Sequence, residues 1–143
     1  IWIWPNIDAG SDLIAKFMRS EREQNPGLKI NFYKNFTPED YLKLIKNCEC
    51  LIGNSSSGIR ECSFLGIPFV NIGNRQNNRE IGNNVFQAKV DYKDILKKIL
   101  LAEKKKYLIK PISLYGTGNS AKRIIKILEK TDFIIEKKFN ILN

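Results

Sequence analysis

The chain has 143 residues, 43% of them apolar and 27% charged, with 9 Gly and 5 Pro, which is the size and composition of one packed domain and excludes a disordered, collagen-like or low-complexity polymer. Histidine is absent and the formal charge is +9, so Ser-His-Asp hydrolysis and His-ligated zinc are excluded from these residues. Any general base within them has to be a carboxylate, Lys, Tyr or Cys.

The longest apolar runs are a few residues, as at Phe64-Leu65 and Ile134-Ile135, against the roughly 20 that a spanning helix needs. No membrane partner is expected. Cys48, Cys50 and Cys62 form no C-x-x-C pair, which argues against a disulfide framework or a metal site and for buried thiols in a reducing, cytoplasmic setting. Met18 is the only methionine, and Ile1-Trp2-Ile3-Trp4 reads as a strand already under way; a piece of a longer protein is expected. Charge is uneven: residues 1–88 carry 10 Lys and Arg against 9 Asp and Glu, and residues 89–143 carry 14 against 6. Such a basic third suits nucleic acid, acidic lipid headgroups or an acidic neighbouring domain, against the plainer reading of solvated helix faces; no aromatic residues are interleaved with the lysines as base-stacking platforms require, which weakens the nucleic-acid reading.

In chain order, residues 1–4 read as a strand with both tryptophans on one face, closed by Pro5-Asn6. Capping residues at 8–11 precede a helix over 12–24 with Leu13, Ile14, Phe17 and Met18 on its apolar face. Residues 28–33 alternate as a second strand. Thr37-Pro38-Glu39 reads as an N-cap with Pro at the first helical position, starting a helix that runs to about residue 48. A very short third strand over 50–52 leads into Gly53-Asn54-Ser55-Ser56-Ser57-Gly58, then a helix over 59–65 and an apolar strand over 68–72. A polar loop follows, then a fifth strand over 85–90 and a helix over 92–107 with Ile95, Leu96, Ile99 and Leu100 inward. A last helix over 119–130 places Ala121, Ile124, Ile125 and Leu128 on one face. Alternating strands and helices point to an α/β fold with a parallel sheet.

The Gly53–Gly58 stretch, set between a strand end and a helix start, is suited to phosphate: glycine lets a ligand approach the backbone, first-turn amides lack helical partners, and hydroxyls add donors. The competing reading is a tight turn with a serine N-cap. Two sharper readings fail. A P-loop needs Lys and Ser or Thr where Ile59 and Arg60 stand, and a nucleophile elbow needs Gly where Ser57 stands. Gly116-Thr117-Gly118-Asn119-Ser120-Ala121 satisfies G-x-G-x-x-A, but 22 residues follow it, too few for a dinucleotide-binding unit; it reads as a loop and helix start. Glu61, in the first turn of the helix after Gly58, is placed to reach ligand hydroxyls beside a phosphate held by Ser55 and Ser56. Arg75 lies just past the fourth strand, on the carboxyl edge where open α/β sheets bind ligands.

Taken together, Pro5-Asn6-Ile7-Asp8-Ala9-Gly10-Ser11, the run Ile52-Gly53-Asn54-Ser55-Ser56-Ser57-Gly58-Ile59-Arg60-Glu61, and Gly66-Ile67-Pro68-Phe69-Val70-Asn71-Ile72-Gly73-Asn74-Arg75-Gln76 with Arg79-Glu80 closely resemble the hydrolysing UDP-N-acetylglucosamine 2-epimerases. The resemblance covers essentially the whole chain. It implies a Rossmann-like parallel sheet with helices on both faces, the C-terminal half of the two-domain architecture shared with B-type glycosyltransferases, over residues 1–143. It also implies a UDP site: Asn6 near the nucleotide, the backbone around Phe36 at the uracil, Ser55 and Ser56 at phosphate, Glu61 on the ribose hydroxyls and Arg75 lining the pocket. Positions 6 and 36 rest on the resemblance alone.

The implied reaction is elimination of UDP to a glycal and addition of water to give N-acetylmannosamine, in sialic or legionaminic acid synthesis. Its proton-transferring carboxylates belong to the absent N-terminal half, so no catalytic residue, cofactor or metal is assigned here and the isolated chain is expected to be inactive. The expected partners are a UDP-sugar, the chain's own N-terminal domain, and further copies in a homo-oligomer, with no nucleic acid. Residues 133–142 resemble the family's terminal region that packs back toward the first domain. A glycosyltransferase half-domain and a basic nucleic-acid-binding module stand as the alternatives.

Overall fold

The computed structural model describes residues 1–133 and divides the chain into two compact units, Ile1–Glu49 and Cys50–Asn143. Each unit holds a small parallel sheet flanked by helices, so the architecture is α/β and Rossmann-like. The described strands fall into a two-stranded and a three-stranded sheet.

In the first unit, β1 (Trp2–Ile3) pairs in parallel with β2 (Phe32–Tyr33), Trp2 opposite Phe32 and Ile3 opposite Tyr33. The Trp2 ring stacks on Phe32 at 5.8 Å and meets the edge of Phe17 at 6.3 Å, the core role expected of an aromatic on a strand. Trp4 lies under the Arg19 guanidinium at 5.8 Å. Helix α1 spans Ser11–Gln24 and α2 spans Pro38–Asn47. The Thr37 hydroxyl accepts the Asp40 amide at 3.2 Å with Pro38 next in line, so the cap read from the sequence is present. Of the apolar face expected on α1, Met18 is fully buried, whereas Leu13, Ile14 and Phe17 are exposed. The β1–β2 ladder is only two residue pairs long, a small surface for a 14-residue helix to cover.

In the second unit, β3 (Leu51–Gly53), β4 (Phe69–Ile72) and β5 (Val85–Ala88) are parallel in the order β3-β4-β5. Gly53 stands opposite Asn71 and Ile72 opposite Ala88, so all three strands end on one edge. The central β4 buries Phe69, Val70 and Asn71 in succession, the continuous pattern of a strand covered on both faces. Between β3 and β4 lie a 3₁₀ turn, Ser56–Gly58, and α3, Glu61–Leu65. The core gathers Val70, Ala88 and Ala102 with Cys50, Phe86, Ile95 and Ile99 against them. Helix α4, Tyr92–Lys105, starts where the Asp91 carboxylate accepts the Asp94 amide at 2.9 Å. Ile95 and Ile99 pack inward as expected, but Leu96 and Leu100 are exposed and Ala102 is buried in their place.

The last helix, α5, spans Ser120–Leu128 and has no buried residue, so the inward face expected of Ala121, Ile124, Ile125 and Leu128 is not packed among the described residues. Its apolar stripe reflects helix periodicity, which the sequence carries whether or not a partner surface is present. Of the terminal segment, Phe133 is exposed and residues 134–142 lie outside the described residues. Cys62 is buried and Cys48 and Cys50 are half-buried, without a disulfide. Among the described residues no helix is long and apolar enough to cross a membrane.

Candidate nucleotide site

The parallel order brings the loops after β3 and β4 to the same edge, and with them Ser55, Ser56, Glu61 and Arg75. Gly53, which ends β3, has φ +146 with open space where a side chain would be; glycine is needed there for conformation, because the chain must turn off the strand. At Gly58 the need is steric. A Cβ there would collide with the buried Phe69 ring.

Ser55 caps the 3₁₀ turn, its hydroxyl accepting the Ser57 amide at 3.3 Å. The Gly58 amide returns to Ser55 O at 3.2 Å, and those of Ile59 and Arg60 return to Ser56 O at 3.1 and 3.0 Å. The expectation of unpaired amides beside Gly58 is therefore corrected: turn formation consumes them, because a 3₁₀ turn closes its bonds one residue sooner than an α-helix. The serine-cap reading and a ligand-binding loop are both compatible with this geometry. Among the described residues, no bond joins the Ser55 or Ser56 amide to another backbone group, and none involves the Ser56 hydroxyl. The donors on this loop thus lie upstream, at 55 and 56.

Glu61 begins α3, and its Oε2 is buried without a hydrogen-bond partner among the described residues. A carboxylate oxygen hidden from water without a donor is costly, and a ligand hydroxyl removes that cost. Arg75 is exposed in the turn that the Asn77 amide closes on Asn74 O at 3.0 Å.

Three residues to which the sequence assigns no role of their own, two of them within the quoted motif, organise these loops. Gln76, 4% exposed, donates from Nε2 to Asn54 O at 2.7 Å. Asn71, buried in β4, donates to Gln87 Oε1 at 2.7 Å, and Gln87 Nε2 donates to Gly73 O. Asn84, 1% exposed, donates to Gly58 O at 3.0 Å and to Ile67 O at 3.1 Å, tying the 3₁₀ turn to the exit of α3. A single sequence carries no sign of these roles beyond the position of Gln76 beside Arg75. Further along the edge, an open groove of about 650 Å³ is lined by Gly73, Asn74, Gln87, Lys89, Asp94 and Lys98 among others.

In the first unit, Asn6 is exposed in the loop after β1, where its carbonyl accepts the Asp8 amide at 2.8 Å. Phe36 is half-buried with its ring 4.9 Å from that of Tyr33. Among the described residues no group of three or more His, Cys, Asp and Glu could hold a metal ion. The second unit's loops therefore offer hydroxyl donors, a guanidinium and a buried acceptor, a set suited to an anionic ligand that also bears hydroxyls.

A sequence model of the family described as UDP-N-acetylglucosamine 2-epimerase matches residues 1–129. The chain belongs to that family. It is 33% identical over 129 residues to UDP-N,N'-diacetylbacillosamine 2-epimerase (hydrolyzing) of Legionella pneumophila, covering 90% of this chain and 33% of that protein. It is 32% identical over 95 residues to UDP-N-acetylglucosamine 2-epimerase of Neisseria meningitidis serogroup B, covering 66% and 24%. It is 34% identical over 108 residues to polysialic acid biosynthesis protein P7 of Escherichia coli, covering 76% and 27%. The chain thus spans about a third or less of the length of these relatives. All the positions considered for this family member's site lie within the matched 129 residues.

Proposed function

We propose that this chain is the UDP-binding portion of a hydrolysing 2-epimerase that acts on UDP-N-acetylglucosamine or a related UDP-diacetamido sugar, for sialic or legionaminic acid synthesis. The observation that carries the reading is Glu61 Oε2, an acceptor buried without a donor on the helix that follows the Ser55-Ser56 loop. Ribose hydroxyls supply the missing donors. Ser55 and Ser56 take phosphate oxygens through hydroxyls and amides, and Arg75 adds the positive charge that a diphosphate leaving group needs.

In the whole enzyme the base removes the C2 proton of the sugar as the C1–O bond to UDP breaks. Water then adds across the resulting glycal to give the 2-epimeric free sugar. Holding UDP stabilises the leaving group but moves no proton, so the chain alone binds and does not turn over. An N-terminal domain supplies the carboxylates, and the full-length protein forms a homo-oligomer.

Isothermal titration of the 143-residue chain with UDP tests this directly. Weak, saturable binding is expected, weakened about tenfold or more by Glu61→Ala and by Arg75→Ala, as loss of a charge-assisted contact implies. A folded chain that takes up no UDP at millimolar concentration overturns the proposal.

A further inference from the structure

Strand pairing fixes the ends of β3 and β4, with Gly53 opposite Asn71, but the ladder stops there and leaves the two following loops to find their own spacing. The residues assigned to phosphate are divided between those loops, Ser55 and Ser56 on one and Arg75 on the other. Gln76 spans the gap: its Nε2 donates to Asn54 O at 2.7 Å, and the residue is 4% exposed. Positions 75–76 are thereby laid beside positions 54–55. The same loop is pinned at its start by Gln87, which donates to Gly73 O, and closed on itself by the bond from the Asn77 amide to Asn74 O at 3.0 Å.

We infer that Gln76 is a positioning residue, acting through Asn54 and Arg75 so that the serine hydroxyls and the guanidinium converge on one diphosphate. This rests on the nucleotide-binding reading above. Gln76 Oε1 is buried without a donor, so the side chain costs stability at one end while it bonds at the other. That imbalance fits a residue placed for geometry more than for packing. An amide is the group required: alanine leaves Asn54 O without its donor, and glutamate sets a carboxylate oxygen against that carbonyl. Uridine presents no phosphate to either loop, so its binding does not depend on their alignment, whereas UDP uses both sides at once.

The test titrates the labelled 143-residue chain and its Gln76→Ala and Gln76→Glu variants with UDP and with uridine, following backbone and side-chain amide resonances. UDP affinity should fall about tenfold or more in each variant while uridine affinity stays within about twofold. In the unsubstituted chain the Gln76 side-chain amide protons should exchange slowly and shift on addition of UDP. That last measurement stands even if both variants fail to fold. Equal loss of UDP and uridine binding makes Gln76 merely structural and overturns the inference, as does fast exchange of its amide with no UDP-dependent shift. Undiminished UDP binding by a folded Gln76→Glu chain overturns it while leaving the nucleotide site standing. An unsubstituted chain that binds no UDP overturns both.

Discussion

At Gly58 the absence of a side chain is a packing requirement, because the ring of Phe69, itself fully buried, occupies the space that a methyl would enter. The backbone carbonyl of the same residue accepts from Asn84, so a shift of the turn to relieve the clash also strains that bond. Gly58→Ala is therefore expected to destabilise the chain by about 1–3 kcal/mol, the range found for overpacked cores. Urea unfolding measures it, and combining the substitution with Phe69→Leu should recover part of the loss, since the two sites are in contact. A Gly58→Ala chain as stable as its parent shows that the turn has slack. The sequence pointed to Gly58 as a place for close ligand approach. It could not show which neighbour crowds the position, because Phe69 is 11 residues away and meets it only through the fold.

Among the elements, those with strong local chemistry were legible in advance. The Thr37 and Asp91 caps rest on contacts between residues three apart, and the Pro38 start on that residue's own fixed φ, all of which can be read from local sequence alone. Thr37 also donates its hydroxyl hydrogen to Asp40 Oδ2 at 2.9 Å, which makes the cap reciprocal. Thr37→Ala should cost about 1 kcal/mol and Thr37→Ser much less, because serine keeps the accepting oxygen; far-UV circular dichroism through a urea transition decides it. Equal effects of the two substitutions would remove the cap from the account of α2. Inward faces were less legible. Leu96 and Ala102 exchange expected and observed burial in α4, and α5 keeps its apolar stripe in solvent, because periodicity names a face without naming what covers it. The candidate site was half legible for the same reason: Ser55, Ser56, Glu61 and Arg75 stand out by type and position, whereas Gln76 and Asn84 act through bonds to residues 22 and 26 positions away.

For the molecule as a whole, charge and exposed apolar surface oppose each other. The chain carries +9 with a pI near 9.5, and mutual repulsion between copies keeps such a molecule dispersed. Yet Ile124, Ile125, Ile127 and Leu128 are each about half exposed or more along one short helix, and contiguous apolar surface favours association. Salt sets the balance, since the screening length falls from about 10 Å at 0.1 M to about 3 Å at 1 M, while apolar attraction is not screened. The isolated chain should therefore remain dispersed at 0.1 M sodium chloride and associate reversibly as salt approaches 1 M, which light scattering follows. Ile124→Lys with Ile125→Lys should move that onset to higher salt by adding charge and removing apolar area together. If the substituted chain associates at the same salt concentration as its parent, a surface other than α5 drives the process.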